Sequence, residues 1–319
     1  MKNYWSKKKV LVTGAGGFVG SYICEELIAQ GANVTAVVRN KSNISNLSPF
    51  LNKLSLKEID LTDTSGINEM IIDEVIIIHA AAVDGGSGFK KKFANKIFTE
   101  NMLMNINMLK SVENKKIEKF LYISSAEVYR NIKTDKSIKE NDFTFFSPTK
   151  NEDWYPFSKV IGEQICRLIN SFGIKTIIVR PANIYGLRDD QGHGRLIPTL
   201  LSEIKAGNRK IRLKGDGRQL RSFLFAQDYV KNLLGLISSI DNGIFNIAGE
   251  KVISIKNFVE IFGKIGKLTI EFEDKSQDAG ASTDRFVLDV SKIKRTIPFW
   301  YDSPYEKKIE EMIRQIGTN

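Results

Sequence analysis

Residues 10–27 read VLVTGAGGFVGSYICEEL, an apolar β-type run that breaks at Gly14, Gly17 and Gly20 and continues into a helical pattern. Glycine permits a tight turn and close approach of the backbone to a ligand. The N-terminus of the helix that follows offers free N–H donors and positive potential to a pyrophosphate. A glycine-rich turn can also stand without a ligand. Its place here, directly after the first strand and at the opening of the first helix, is the context a dinucleotide-binding fingerprint requires. The stretch therefore predicts a bound dinucleotide, with Gly14, Gly17, Phe18, Val19 and Gly20 as its contacts.

Working outward, apolar strand-like runs alternate with helical patterns. The runs are NVTAVVR (33–39), KLSLKEID (53–60), EVIIIHAA (74–81), KFLYISS (119–125) and KTIIVRPAN (175–183). Between them lie YICEELIAQG (22–31), INEMI (67–71), a long helical stretch to Lys116 and a helix from Tyr155 to Phe172. Strict alternation implies right-handed crossovers and a parallel sheet, and continuous apolar strands imply that both sheet faces are covered. After Asn183 the texture changes: Gly, Asp and Arg punctuate residues 186–222, GIFNIAG (243–249) supplies one more strand, and the tail from Val252 is mixed and charged. The fold class expected is α/β, a doubly wound parallel sheet with a smaller mixed α/β C-terminal part. Residues 1–182 form the dinucleotide-binding core, with 222–249 returning to it; residues 183–221 and 250–319 form the substrate-binding part.

With 42% apolar residues, the 319-residue chain can bury a sizeable core. No run approaches the roughly 18 apolar residues of a membrane helix, and MKNYWSKKK lacks the apolar core of a secretory signal, so a cytoplasmic protein with no membrane partner is expected. Cys24 and Cys166 sit in helical apolar patterns without metal-ligand spacing; both read as reduced packing residues, and no metal is expected. The net charge of +10 invites a nucleic-acid reading. The clusters Lys7–Lys9, Lys90–Lys92 and Lys115–Lys116 lie in different segments, without interleaved aromatics to stack bases, and read as solvated surface. No nucleic-acid partner is expected, though the excess charge can attract an anionic small substrate.

Two further places carry chemistry. In DWYPFSK (153–159), Tyr155 and Lys159 share one helical face at i, i+4, and Pro156 fits only the first helical turn. A phenol titrates near 10, and a nearby ammonium and an oxidised nicotinamide both favour its phenolate, so the pair makes a tunable acid/base. Upstream, a strand ends in Ser124-Ser125-Ala126-Glu127. A hydroxyl at the carboxyl end of a parallel strand lies where open sheets bind ligands; a strand-end serine can equally be a turn cap. The second strand ends at Arg39, where an arginine can pair with a 2′-phosphate and a carboxylate would instead bind the ribose. That points to NADP, with NAD as the other possibility.

The ordered set TGAGGFVG, HAAA, YISSAEVY, YPFSK, RPANIYG, GDGRQLRSF and FNIAG resembles, over nearly the whole chain, the nucleotide-sugar epimerases, dehydratases and reductases of the extended short-chain dehydrogenase/reductase family. The resemblance implies a Rossmann core, bound NAD or NADP, and a C-terminal part that grips a nucleoside-diphospho sugar. It implies Tyr155 as acid/base, Lys159 on the nicotinamide ribose and Ser125 as the orienting hydroxyl. Asp60 and Leu61 would border the adenine, and Ala80, Ala81 and Ala82 would pass the cofactor backbone; Ser124 and Pro181 join the cofactor set. The activity implied is hydride transfer at a sugar carbon, most often C4, as an epimerase or dehydratase, with an NADPH-dependent keto-sugar reductase as the alternative. A Rossmann module that binds a nucleotide without turnover is the alternative of another class; such proteins typically lose the tyrosine or the lysine. Relatives often form homodimers through a four-helix contact, which helices near 97–113 and 156–171 would supply.

The chain also departs from the family. Dehydratases commonly have Asp-Glu or Ser-Glu after the catalytic hydroxyl, where this chain has Ala126-Glu127. Glu127 keeps a carboxylate that could abstract a proton α to a keto group. The VDGG segment resembles fucose-synthase-like epimerase-reductases, which carry a cysteine at the Glu127 position and a histidine near Arg188; neither is present. His193, near where 3,5-epimerases place a proton donor, would pair with Glu127 in epimerisation. His79, at the end of a buried strand, reads as structural. Around the sugar diphosphate the expected groups are Asn183, Arg221 and Arg285, because arginine's fork suits phosphate.

Overall fold

The computed structural model describes residues 4–40, 44–64, 66–73, 75–189, 194–273 and 285–317. Strands β1 (Lys9–Thr13), β2 (Asn33–Val38), β3 (Ser55–Glu58), β4 (Ile76–His79), β5 (Lys119–Ile123) and β6 (Thr176–Pro181) alternate with helices α1 (Phe18–Ala29), α2 (Ile67–Met70), α3 (Ser87–Lys92), α4 (Ala94–Val112) and α5 (Trp154–Ser171). The chain then runs through β7 (Ile184–Tyr185), α6 (Leu196–Lys205), β8 (Lys210–Lys214), β9 (Leu220–Ser222), β10 (Leu224–Phe225), α7 (Ala226–Ser239) and β11 (Gly243–Ile247). It finishes with β12 (Val252–Ser254), α8 (Ile255–Gly266), β13 (Thr269–Glu273), α9 (Ser291–Thr296) and α10 (Tyr305–Gly317). The central sheet has seven strands in the order β11-β6-β5-β4-β1-β2-β3, all parallel. This is the doubly wound Rossmann-type arrangement, with β11 paired in parallel to β6 at one edge.

The period-2 alternation of a strand sends neighbouring side chains to opposite faces. Val10 and Val12 pack with Ile23 and Leu27 of α1 and Leu233 and Ile237 of α7. Leu11 points the other way, into a layer with Met104, Met108, Cys166 and Ile169 of α4 and α5. Ile76, Ile77 and Ile78 of β4 are fully buried, because β4 lies inside the sheet with helices on both sides. Each such side chain contributes roughly 1.5–3 kcal/mol of burial free energy, so β4 and the neighbouring end of β1 form a stiff base for whatever sits at their carboxyl ends. A separate core, with Leu200, Phe258, Phe262, Ile309 and Met312, holds the C-terminal part, where β8 and β13 pair in parallel.

No helix among the described residues is long and apolar enough to cross a membrane. The basic clusters are less scattered than the sequence implies: Lys7–Lys9 and Lys115–Lys116 flank one cleft of about 760 Å³ at the amino ends of β1 and β5. Lys8 in it is paired with Glu118 at 2.7 Å.

Candidate active site

Strand order reverses at β1, with β2 and β3 to one side and β4, β5, β6 and β11 to the other. Ligands of open parallel sheets bind at such a switch point, beyond the carboxyl ends of the strands. A cavity of about 1000 Å³ lies there. Gly14 adopts the left-handed region, φ +64°, which favours glycine, and a Cβ on it would stand 2.8 Å from the main chain of Ala81. On Gly20 a Cβ would lie 2.2 Å from the carbonyl oxygen of Gly14. These contacts let the turn fold back on the start of α1, and Gly14, Gly17, Phe18, Val19 and Gly20 all line the cavity. The cavity extends from this turn past Arg39, Leu61 and Ala80–Ala82 to Ser124, Pro181, Tyr155 and Lys159. A turn for a diphosphate at one end and a titratable phenol–amine pair at the other fit a nicotinamide dinucleotide.

The catalytic candidates converge in the same cavity. Tyr155 is buried in the first turn of α5, beside Pro156. Burial pushes its phenol well above the ordinary value, helped by the carboxylates of Asp84 and Glu127 and opposed by Arg195 and a hydrogen bond with Ser125. The ring is therefore a neutral phenol, a proton donor, before any oxidised cofactor is bound. Lys159, one turn along α5, donates to the Ile123 carbonyl at 2.9 Å, and its Nζ stands 6.0 Å from the centre of the Tyr155 ring. Burial pushes its ammonium down to about 8. Ser125 serves as a cap as well as a site hydroxyl: its Oγ accepts from the Glu127 N–H at 3.1 Å.

Charged residues that sequence reasoning did not assign, Asp84, Lys90, Asp189 and Arg195, also line the cavity. Lys90 is buried, 8% exposed, which corrects the reading of Lys90–Lys92 as solvated surface. Its ammonium bonds Glu127, lies 3.2 Å from Asp84 Oδ1 and sits 4.1 Å from the centre of the Tyr155 ring. Arg195 pairs with Asp84 at 2.9 Å and with Asp189 at 2.5 Å. A run of three lysines gives no sign of which one turns inward.

Not every candidate is placed as the sequence suggests. Ser124 lines the cavity, but its hydroxyl turns away to donate to Glu163 at 2.6 Å. Asp60 is not among the lining residues; its carboxylate accepts from the N–H and hydroxyl of Thr62 at 2.9 and 2.8 Å. Arg39 does reach the cavity, with its guanidinium held by Glu100 at 2.9 Å and Asp60 at 3.8 Å. His79 is enclosed: Nδ1 meets the Thr13 hydroxyl at 2.7 Å and Nε2 meets Asn105 Oδ1 at 3.1 Å. Burial pushes its ring down to about 3, so it stays neutral, and Thr13 in turn accepts from the Ala81 N–H at 3.2 Å.

On the substrate side, Asn183 lines the cavity in a left-handed conformation, φ 48°, which asparagine tolerates. Its amide donates to the Ser222 carbonyl at 2.9 Å. Arg221 and Arg285 lie together, joined through the Leu220–Arg285 bridge, but neither is among the residues lining the cavity. Among the described residues, Arg285 Nε and Ser222 Oγ are buried and have no hydrogen-bond partner. His193 falls outside the described residues.

The sequence profile of the NAD dependent epimerase/dehydratase family matches residues 10–248. A dTDP-4-dehydro-6-deoxy-D-allose reductase of a Streptomyces species is 32% identical over 324 aligned residues, which cover 97% of this chain and 96% of the relative. GDP-mannose 3,5-epimerase 1 of Oryza sativa subsp. japonica is 28% identical, covering 86% of this chain and 71% of its own. The crystal structure of UDP-glucuronic acid 4-epimerase from Bacillus cereus in complex with NAD superposes with a TM-score of 0.81 at 21% identity, covering 97% and 96% of the two chains. It shares the fold.

Proposed function

The chain belongs to the NAD dependent epimerase/dehydratase family, and from that premise we propose that it acts on a nucleoside-diphospho sugar at C4. The dinucleotide, when bound, supplies or accepts a hydride at that carbon. The observation that carries the reading is the convergence of Tyr155, Lys159 and Ser125 on one cavity with the glycine turn. Tyr155 gives its proton to the sugar oxygen, Ser125 orients that oxygen by hydrogen bonding, and Lys159 holds the ribose and steadies the phenol electrostatically. Asn183, Arg221 and Arg285 of the C-terminal part, residues 183–221 and 250–319, receive the diphosphate. The unpaired Arg285 Nε beside Arg221 supports this assignment.

Net reduction of a keto sugar is the outcome we favour over epimerisation or dehydration. Tyr155, without cofactor, is a neutral phenol that can protonate a carbonyl oxygen, and Glu127, the base that proton exchange at C3 or C5 would use, is bonded to Lys90. The reductase from Streptomyces, similar over nearly its whole length, supports the same outcome. NADP is the cofactor we favour over NAD: Arg39 stands at the cavity edge and would exchange Glu100 for a 2′-phosphate. A cytoplasmic location suits an enzyme with two free, buried thiols. A homodimer through α4 and α5 would cover Leu103, Ile106 and Leu168, which stand exposed. The test is a screen of dTDP-, GDP-, UDP- and CDP-linked sugars and their 4-keto forms, with and without NADPH, by mass spectrometry. Mass gain of two units on a keto sugar only with NADPH is expected; redox-neutral isomerisation without it would replace reduction by epimerisation.

A further inference from the structure

Lys90 has no place in the proton chemistry above, yet it is buried in the catalytic cavity and touches three of its groups. Its ammonium binds the Glu127 carboxylate, faces Asp84 at 3.2 Å and covers the Tyr155 ring at 4.1 Å. Burial alone works against this charge, but Glu127 and Asp84 outweigh it and hold the pKa of Lys90 above the ordinary lysine value. At neutral pH Lys90 is thus a cation paired with two carboxylates. Asp84 is held in its turn by Arg195.

We propose that Lys90 is the residue that keeps this site to carbonyl reduction, by tying down Glu127, a cavity carboxylate that could otherwise take a proton from the carbons flanking a sugar C4 ketone. A ketone at C4 acidifies the C–H bonds at C3 and C5. A free Glu127 carboxylate would remove such a proton, the C–H electron pair would move into an enolate, and return of a proton from solvent would complete exchange or epimerisation with no net redox change. Lys90 holds Oε1 of Glu127, so the carboxylate shares its charge with the ammonium and loses the freedom of movement that this step needs. Lys90 acts through Glu127 and is a positioning residue. The inference rests on the reading of the site as one that handles nucleotide keto sugars.

The test uses a dTDP-4-keto-6-deoxyhexose in D₂O, with deuterium at C3 and C5 read by mass spectrometry and NMR against an enzyme-free blank. Wild type should reduce the ketone with NADPH and add no deuterium at C3 or C5 above the blank. Lys90→Met should raise that wash-in at least tenfold, Lys90→Arg should restore the wild-type level, and Glu127→Gln in the Lys90→Met background should remove the gain. Circular dichroism and NADPH affinity of each variant establish that it is folded. Wash-in by wild type itself, or a folded Lys90→Met variant at the wild-type level, overturns the proposal while leaving reduction standing. If wild type neither reduces this ketone nor turns over any sugar of the screen, the functional reading fails and takes the role of Lys90 with it.

Discussion

Removing the Glu163 carboxylate should cost this protein a large share of its stability. Glu163 lies on α5, one turn beyond Lys159, and both it and Arg180 of β6 are 1% exposed. Its oxygens accept from Arg180 Nε at 2.8 Å, Arg180 Nη2 at 2.6 Å and the Ser124 hydroxyl at 2.6 Å. Arg180 also donates to the Tyr129 hydroxyl at 2.7 Å and the Glu140 carbonyl at 3.1 Å, so it cannot swing out to water when its partner goes. Breaking one side of a buried pair costs roughly 3–5 kcal/mol, because the remaining charge stays desolvated. With an unfolding entropy of about 2.1 cal/mol/K per residue, a loss of about 4 kcal/mol lowers the melting midpoint of a chain this long by roughly 6 °C. Glu163→Ala should therefore show that shift by calorimetry and a matching loss in urea titration. A Glu163→Met, Arg180→Leu double variant should recover most of it, since apolar replacement of a whole buried pair is often neutral or better. A Glu163→Ala loss below about 1 kcal/mol, or a double variant as unstable as the sum of the singles, would refute the reasoning.

Other outcomes follow from the site. Gly20→Ala drives a Cβ to 2.2 Å from the Gly14 carbonyl oxygen, so the turn must open and NADPH affinity, measured by fluorescence titration, should fall at least about tenfold; unchanged affinity would contradict the assignment of this turn. Lys159, buried and pushed down to about 8, is an ammonium below that pH and neutral above it, so kcat/KM should fall as pH rises past about 8, and Lys159→Arg should carry the alkaline limb upward. The same shift means that the unfolded chain takes up the proton first as pH falls from the ordinary lysine value toward 8, so this group's contribution to stability rises with pH through that window; a flat or inverted trend in the difference between wild type and Lys159→Met would argue against the shift. Arg39→Ala should weaken NADPH at least about tenfold more than NADH; equal losses would remove the 2′-phosphate role.

Much of this architecture is written locally in the chain. The glycine turn is legible because conformation and helix start are neighbours in sequence, and Tyr155, Pro156 and Lys159 because helical periodicity places them on one face. Ser125 is legible as a strand-end hydroxyl. What could not be read is the pairing of charges across segments. Nothing in the local pattern joins Glu163 of α5 to Arg180 of β6 until the sheet brings them together, and Arg39, which reads as a partner for a 2′-phosphate, gives no sign of its pairing with Glu100 of α4. Lys90 is hidden by its own neighbours: in a run of three lysines the buried one is chosen by the carboxylates it meets, Asp84 and Glu127, which lie 6 and 37 positions away. Burial of a charge depends on distant partners, and local pattern carries no information about them.

The proposed proton donor to the sugar oxygen is Tyr155, and the most direct measurement is the single-turnover reduction of a keto sugar by Tyr155→Phe loaded with NADPH. The variant removes one hydroxyl from a ring that remains packed under Lys90, so NADPH affinity should stay within about twofold while the rate falls roughly 10²–10⁴-fold. A rate within about threefold of wild type, at full cofactor occupancy, would contradict it.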